Sequence, residues 1–374
     1  MTVLDTTGVR SAAEAVDDAD RDPFVTRVAA YARTVLAPSA LETDRTGVTP
    51  ERIAELADLG LLNHLAPAEY GGAGAGRAAD RRIHEILSGA CFNTWLVWAQ
   101  HAPLAGRLAE TAATTVPSAL SAEVLHGRRL LGAGVSDIRR YPHDYISAQR
   151  HPGGWRLNGT VSWVSGWGLN TALAIGAVDT AREHVVTALV EVSEKTIAHP
   201  LDLTALEGSR TERVVLQDVF VPDDQVISDV PFDQWRRTDI GTAGDARSHH
   251  FGLADTVLRE LDDDPHPPAH AVARTWRPRI AEIRARAYAL TDEATAAGDG
   301  THRIDERLAL KVASGEALNT ITRALLVARS GRGLGRDDTA QLYVRNALFV
   351  LVQGQRPDVR EAQLRALADS PLPR

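Results

Sequence analysis

Cysteine is almost absent from this chain: Cys91 is the only one in 374 residues. A single thiol cannot cross-link the chain to itself, so no disulfide framework holds the fold. Cys91 lies in an apolar stretch and reads as a packed core thiol rather than a reactive one. No apolar run approaches the ~18 residues of a membrane-spanning helix. Residues 1–20 carry Ser, Asp and Ala and no apolar core of the signal-peptide kind. That segment is expected to fray, and a soluble, cytoplasmic protein with no membrane attachment is the expectation. No Cys/His cluster has metal-ligand spacing, so no metal site is expected. Basic residues are outnumbered, and the net charge of −8 argues against a nucleic-acid partner. Internal repeats are also lacking.

What is present is ordinary globular composition, 44% hydrophobic and 24% charged, at a length that suggests two or three domains. Three blocks follow one another. Residues 21–127 read as helical. Pro23 suits a first-turn position, and Val25, Val28, Ala29 and Val35 follow at helical spacing. Thr49 is a cap with Pro50 at the first helical position. Residues 93–110 form a long apolar-periodic stretch carrying Trp95, Trp98 and His101. Residues 128–228 change to β-type runs, at 156–163, 172–178, 185–192 and 213–221, punctuated by Gly, Asp and Pro. Residues 229–374 are helical again. Ile280, Ile283, Ala287 and Leu290 recur at helical spacing, as do Leu310, Ala313, Ala317, Ile321, Ala324 and Ala328. The small residues permit close packing in a bundle. Residues 262–268, Asp-Asp-Asp-Pro-His-Pro-Pro, read as a linker between two helices.

Several short patterns carry chemistry. Trp163 and Ser165 lie two residues apart in a strand-like run, which would place them on one face. Trp163 is either a core aromatic or a flat surface against which a planar ring can stack. His101, among aromatic residues, is either a base or a hydrogen-bonded core histidine. His249 and His250 read as a surface pair, and Asp239 and Asp245 as either an available base or solvated surface carboxylates. Ser330-Gly331-Arg332-Gly333 is either a helix stop or a phosphate contact through Arg329 or Arg332. No strand precedes it, so it is not a Rossmann fingerprint.

Taken in order, these patterns resemble acyl-CoA dehydrogenases. Residues 154–166, GWRLNGTVSWVSG, resemble that family's flavin-contacting strand, where aromatic-x-Leu-Asn-Gly leads into Trp-(Ile/Val)-(Thr/Ser). Ala133-Gly134-Val135-Ser136-Asp137 resembles the segment lining the flavin pyrimidine. Leu206-Glu207-Gly208-Ser209-Arg210-Thr211 and the later Asp218-Val219-Phe220-Val221-Pro222 resemble its Arg-Gly-Ser element and closing Asp-Val-x-Val-Pro. Leu59-Gly60 before Pro67-Ala68-Glu69-Tyr70-Gly71-Gly72, and Arg345-Asn346-Ala347 near the end, complete an ordered set from Leu59 to Gln355. The resemblance implies an α+β multidomain fold: an N-terminal helical domain, a central β-barrel or sandwich domain and a C-terminal four-helix bundle. It implies FAD, contacted by Val135, Ser136, Trp163, Ser165 and Arg332, with Ser165 near the reactive N5. It further implies an acyl-thioester substrate, an electron-transfer flavoprotein as partner, and a homo- or hetero-oligomer.

The sequence also departs from the family. The dehydrogenase reaction needs a base for the α-proton. Counted from Arg345, the family's catalytic Glu falls on Gly354, between Gln353 and Gln355. Some relatives carry the base on an earlier helix, but residues 239–252 contain no Glu, so the catalytic base is unassigned. The family's Arg-x-x-Phe-Gly diphosphate anchor is replaced by the Asp-Pro-His-Pro linker. Two further readings therefore stand beside the dehydrogenase. One is a monooxygenase taking reduced flavin from a flavin reductase. The other is a non-catalytic partner subunit of a heteromeric dehydrogenase.

Overall fold

The computed structural model describes residues 15, 16 and 18–369. Of the N-terminal segment expected to fray, residues 1–14 and 17 lie outside the described residues. Residues 15, 16, 18 and 19 are helical, and Val16 is buried. The chain packs as two compact units. One comprises residues 42–80 and 93–235; the other comprises 81–92, 236–374 and the described part of 1–41.

Helix α1 is Pro23–Tyr31, α2 is Ala40–Thr46, α3 is Pro50–Asp58, α4 is Arg77–Ala90, α5 is Phe92–Ala112 and α6 is Ala119–Leu125. The caps form as the sequence suggests. The Asp22 carboxylate accepts from the Phe24 N–H, and Thr49 Oγ1 accepts from the Arg52 N–H.

The first unit is built on a mixed eight-stranded sheet. Its strands are β1 (Leu131–Gly134), β2 (Ser147–His151), β3 (Gly154–Val164), β4 (Ala172–Asp179), β5 (His184–Glu191), β6 (Thr196–Pro200), β7 (Glu212–Pro222) and β8 (Val226–Pro231). The order is β6-β7-β3-β2-β4-β5-β8, with β1 pairing parallel to β4. All eight residues of β4 are buried, because the sheet is covered on both faces there. Period-2 alternation divides them. Leu173, Ile175 and Ala177 enter a core with Leu157, Val161, Val190 and Val214. Ala172 and Ala174 face Leu104, Leu108, Leu120 and Leu125 of α5 and α6.

The second unit is helical. After α7 (Phe232–Gly244) come α8 (Ser248–Asp262), α9 (Pro267–Ala296), α10 (Ile304–Arg329), α11 (Thr339–Val352) and α12 (Pro357–Ala368). Helices α8 to α11 pack on one another as a four-helix set. Ile280, Ala287, Leu290, Leu310, Ala317 and Ile321 are buried, as their spacing requires. Residues 263–266 link α8 to α9. Inside this unit the buried Glu85 carboxylate gathers four donors: Arg284 Nε at 2.5 Å and Nη2 at 3.0 Å, Arg82 Nη1 at 3.1 Å and the Tyr288 hydroxyl at 2.6 Å.

Two surface expectations fail in this unit. His249 and His250 are each 3% exposed, on the inward side of α8. Asp239 and Asp245 are buried and held by Arg356 and Arg307. Two adjacent histidines and scattered aspartates look solvated in sequence because the arginines that neutralise the aspartates are 62 residues or more away in the chain. Among the described residues, no helix is long and apolar enough to cross a membrane.

Candidate active site

Strand β3 carries the residues of interest to its end and then stops. Its register against β7 shifts between Val161 and Val164, and the chain leaves the sheet at Ser165. The strict alternation expected to put Trp163 and Ser165 on one face therefore does not extend that far. Trp163 is 45% exposed, whereas Ser165 is 7% exposed. Turn residues Ser165–Leu169 follow, with positive φ at Gly166 and Gly168.

That turn docks on the Leu206–Thr211 segment. Gly166 N–H donates to Ser209 O at 2.8 Å, and Trp167 N–H donates to Arg210 O at 2.9 Å. The segment is itself tightly bent, with positive φ at Leu206 and Arg210. A Cβ at Gly208 would lie 2.0 Å from the Thr43 carbonyl oxygen, so only glycine fits. Gly208 O in turn accepts from the Val48 N–H at 2.9 Å. The Glu-Gly-Ser motif read from sequence is thus a backbone platform beneath the Ser165 turn.

Three hydroxyls run through this platform. Ser165 Oγ lies 2.8 Å from Thr211 Oγ1, and Thr211 Oγ1 lies 2.7 Å from Ser209 Oγ. Ser209 Oγ donates to Leu206 O at 2.7 Å. All three residues are buried. The Asn170 side-chain amide donates to Ser165 O at 3.0 Å and fixes the turn from the other side.

Ser136 and Val135 come to the same strand through their neighbour. Asp137, 2% exposed, accepts from the Ser162 N–H at 2.9 Å and from Ser162 Oγ at 2.6 Å. This stitches the short helical turn Ser136–Arg140 to β3, one residue before Trp163. Ser136 is exposed and Val135 half-buried. Four of the five expected contact residues therefore belong to the sheet unit. Arg332 belongs to the helical unit, in the turn Ser330–Leu334 that follows α10. It is 66% exposed and paired with Asp338 at 3.2 Å. Arg329 pairs with Glu260 at 3.1 Å. The sequence did not single out Asp137, Ser162, Ser209 or Thr211, although all four stand inside motifs it offered.

His101 is a core histidine, not a base. It is fully buried, Nε2 lies 2.6 Å from Leu62 O, and Nδ1 accepts from the Leu131 N–H at 3.0 Å. A carbonyl only accepts and an N–H only donates, so the ring is neutral with its hydrogen on Nε2. Burial pushes its pKa down to about 4.

Gly354 lies just past the end of α11, with φ +67°. Its neighbour in space is buried Lys311, whose ammonium donates to Ala243 O and, at 3.1 Å, to Gln353 O. Both Asp245 oxygens are taken by Arg307, at 2.7 and 3.0 Å. Asp239 accepts from Arg356 at 3.0 Å. Neither carboxylate is presented as a base.

Residues 18–115 match the acyl-CoA dehydrogenase N-terminal domain family. The chain is 27% identical over 227 residues to the mitochondrial isovaleryl-CoA dehydrogenase of Solanum tuberosum, covering 57% of this chain and 55% of that protein. It is 22% identical over 363 residues to the 3-sulfinopropanoyl-CoA desulfinase of Paraburkholderia xenovorans, covering 88% and 90%. Against the dehydrogenase relatives the match spans only about half of their length. In structure it is similar to a glutaryl-CoA dehydrogenase from Mycobacterium smegmatis solved in complex with FADH2, with a TM-score of 0.72, 15% identity and 94% of each chain covered. The fold is that of an acyl-CoA dehydrogenase: helices, a mixed sheet, then helices. Residues 18–115 carry the acyl-CoA dehydrogenase N-terminal domain, and the rest of the chain is similar to acyl-CoA dehydrogenases in sequence and in fold.

Proposed function

We propose that the chain is a flavin-dependent oxidoreductase that binds FAD and oxidises a CH–CH bond of an acyl thioester. The carrying observation is the arrangement on the sheet unit: a half-exposed Trp163, the Ser165 turn anchored beside it, and Ser136 brought to the same strand by Asp137. These residues fit a planar aromatic cofactor. An indole 45% exposed near the end of β3 offers a stacking face. Ser136 offers an exposed hydroxyl, Ser165 a buried one in the turn after the strand, and Val135 a half-buried apolar edge. Arg332, in the helical unit, is proposed as a phosphate contact.

In this reading FAD, when bound, accepts the substrate's hydride. Trp163 supports the ring, Ser165 and Ser136 hold its polar edge, and the hydroxyl chain behind Ser165 fixes that contact. The α-proton base is not among the residues assigned. Electrons pass to an electron-transfer flavoprotein, and the protein works in the cytoplasm as an oligomer. Leu348, Val352, Leu364 and Leu367, exposed on α11 and α12, support self-association of the helical unit.

Visible absorbance of the purified chain with FAD tests the reading. The expected result is a bound oxidised flavin spectrum bleached by an acyl-CoA without oxygen. A chain that takes up only reduced flavin and turns it over with oxygen would instead be a monooxygenase. One that takes up neither form would be a partner subunit. Trp163→Ala is expected to weaken FAD binding by about 1–3 kcal/mol, the scale of one lost aromatic stack. Unchanged affinity in a titration of that variant would remove Trp163 from the site.

A further inference from the structure

A cavity of about 710 Å³ opens in the sheet unit where β2 ends, β3 begins and β4 turns into β5. Trp155 lines it. Trp155 and Trp163 stand near opposite ends of β3, roughly 26 Å apart at the rise of an extended strand. Ala148, Trp155 and Val226 give the cavity an apolar floor continuous with the core of the sheet unit. Arg150 and Arg182 line it too, their guanidinium carbons 5.1 and 5.0 Å from the centre of the Trp155 ring. Carboxylates hold both guanidiniums in place. Asp223 accepts from Nη1 and Nη2 of Arg150. Asp179 accepts from Arg182 Nε at 2.6 Å, and Asp229 accepts from Arg182 Nη2 at 2.8 Å.

The hydrogen bonds of this rim are one-sided. Every oxygen of the three carboxylates already holds a donor, because Asp179 also accepts from the Ala181 N–H and Asp229 from His184 Nδ1. A guanidinium has more N–H groups than these partners use. Among the described residues, Arg182 Nη1 and Arg150 Nε find no acceptor in the chain. The rim therefore has donors left over, on two planar forks that are already clamped and cost little to order. Such a fork matches a carboxylate, two oxygens to two N–H groups. A doubly charged phosphate is the poorer match, since three carboxylates stand around two guanidiniums. We infer that this cavity is a ligand site of its own, apart from the proposed flavin face, and takes an organic monocarboxylate with an apolar body. The carboxylate lies on Arg182 and Arg150, and the body lies on the floor of Trp155, Ala148 and Val226.

Ligand-observed NMR titration of the full chain with hexanoate tests this, and the readout does not depend on flavin. Saturable binding is expected. Hexanamide has the same body without the charge, and inorganic phosphate has charge without the body. Each is expected to bind at least about tenfold more weakly, the scale of one charged hydrogen bond or a few buried methylenes. Arg182→Ala is expected to lose at least about tenfold in hexanoate affinity. Arg182→Lys keeps the charge without the fork and should fall between that variant and wild type. No saturable binding overturns the inference, as does hexanamide or phosphate binding as tightly as hexanoate. Hexanoate affinity unchanged in Arg182→Ala puts the ligand elsewhere and overturns it as well. Should Arg182→Ala fail to fold, Arg182→Lys and Arg150→Lys carry the same comparison. Weaker hexanoate binding in both supports the site, and unchanged binding in both overturns it.

Discussion

Replacing Glu85 by alanine is expected to destabilise the helical unit by about 3–5 kcal/mol, the range for breaking a buried ion pair from one side. The Glu85 side chain is only 4% exposed and Arg284 is 19% exposed. Removing the carboxylate takes two charge-assisted bonds from Arg284 and one from the buried Tyr288 hydroxyl. Arg82 loses less, because Asp20 still holds it at 2.6 Å. Equilibrium unfolding in urea measures the change. A loss below about 1 kcal/mol would mean that the charges exchange their partner for solvent at little cost. Glu85→Gln keeps the shape and one acceptor, so its loss should be the smaller of the two.

Acidification is expected to be the other large effect, and it begins unusually early. Burial lowers the pKa of His101 to about 4. Burial, together with the charges of Lys311 and Arg247, lowers that of His250 to about 3. His249 is also held well below the ordinary value, first by burial and then by His250. The unfolded chain protonates these rings near pH 6.5, whereas in the folded chain His101 and His250 resist until pH 4 or below. Between those limits the unfolded state binds more protons, so stability falls as pH falls. The contribution is complete above pH 6.5. By pH 4, His101 and His250 each forfeit about 3 kcal/mol. Unfolding free energies should hold nearly level from pH 7.5 to about 6.5 and decline from there to pH 4.5. Equal stability at pH 7 and pH 5 would show that the rings are already charged, or solvated, in the native state.

The layout of helix, sheet and helix was legible in the sequence because it depends on local periodicity. Strands β3, β4, β5 and β7 fall within two residues of the apolar runs that announced them. The Asp22 and Thr49 caps formed because capping is decided within three residues. Strands β1, β2, β6 and β8 were not read, since four to six residues bear too little pattern to stand out. The site was legible only as residues, not as connections. Trp163, Ser165 and Ser136 can be picked out by type and spacing. Asp137 holding Ser162 from 25 positions away, or Thr211 holding Ser165 from 46, cannot. The same limitation explains the misplaced polar residues. His249, His250, Asp239 and Asp245 look like surface groups until the distant helix that covers each of them is in place.

The chain passes from one unit to the other at residues 41/42, 80/81, 92/93 and 235/236. During synthesis this imposes an order of events. Every strand of the sheet unit has been synthesised once residue 235 is made, and domains tend to fold as they emerge. The 81–92 segment is made early, yet Glu85 meets Arg284 and Tyr288 only about 200 residues later. Until then a length of helix carrying a buried-type carboxylate waits beside a unit to which it does not belong. A fragment ending at Trp235 should show the same state at equilibrium: an ordered sheet with protease-sensitive sites confined to the segment before residue 42 and to residues 81–92.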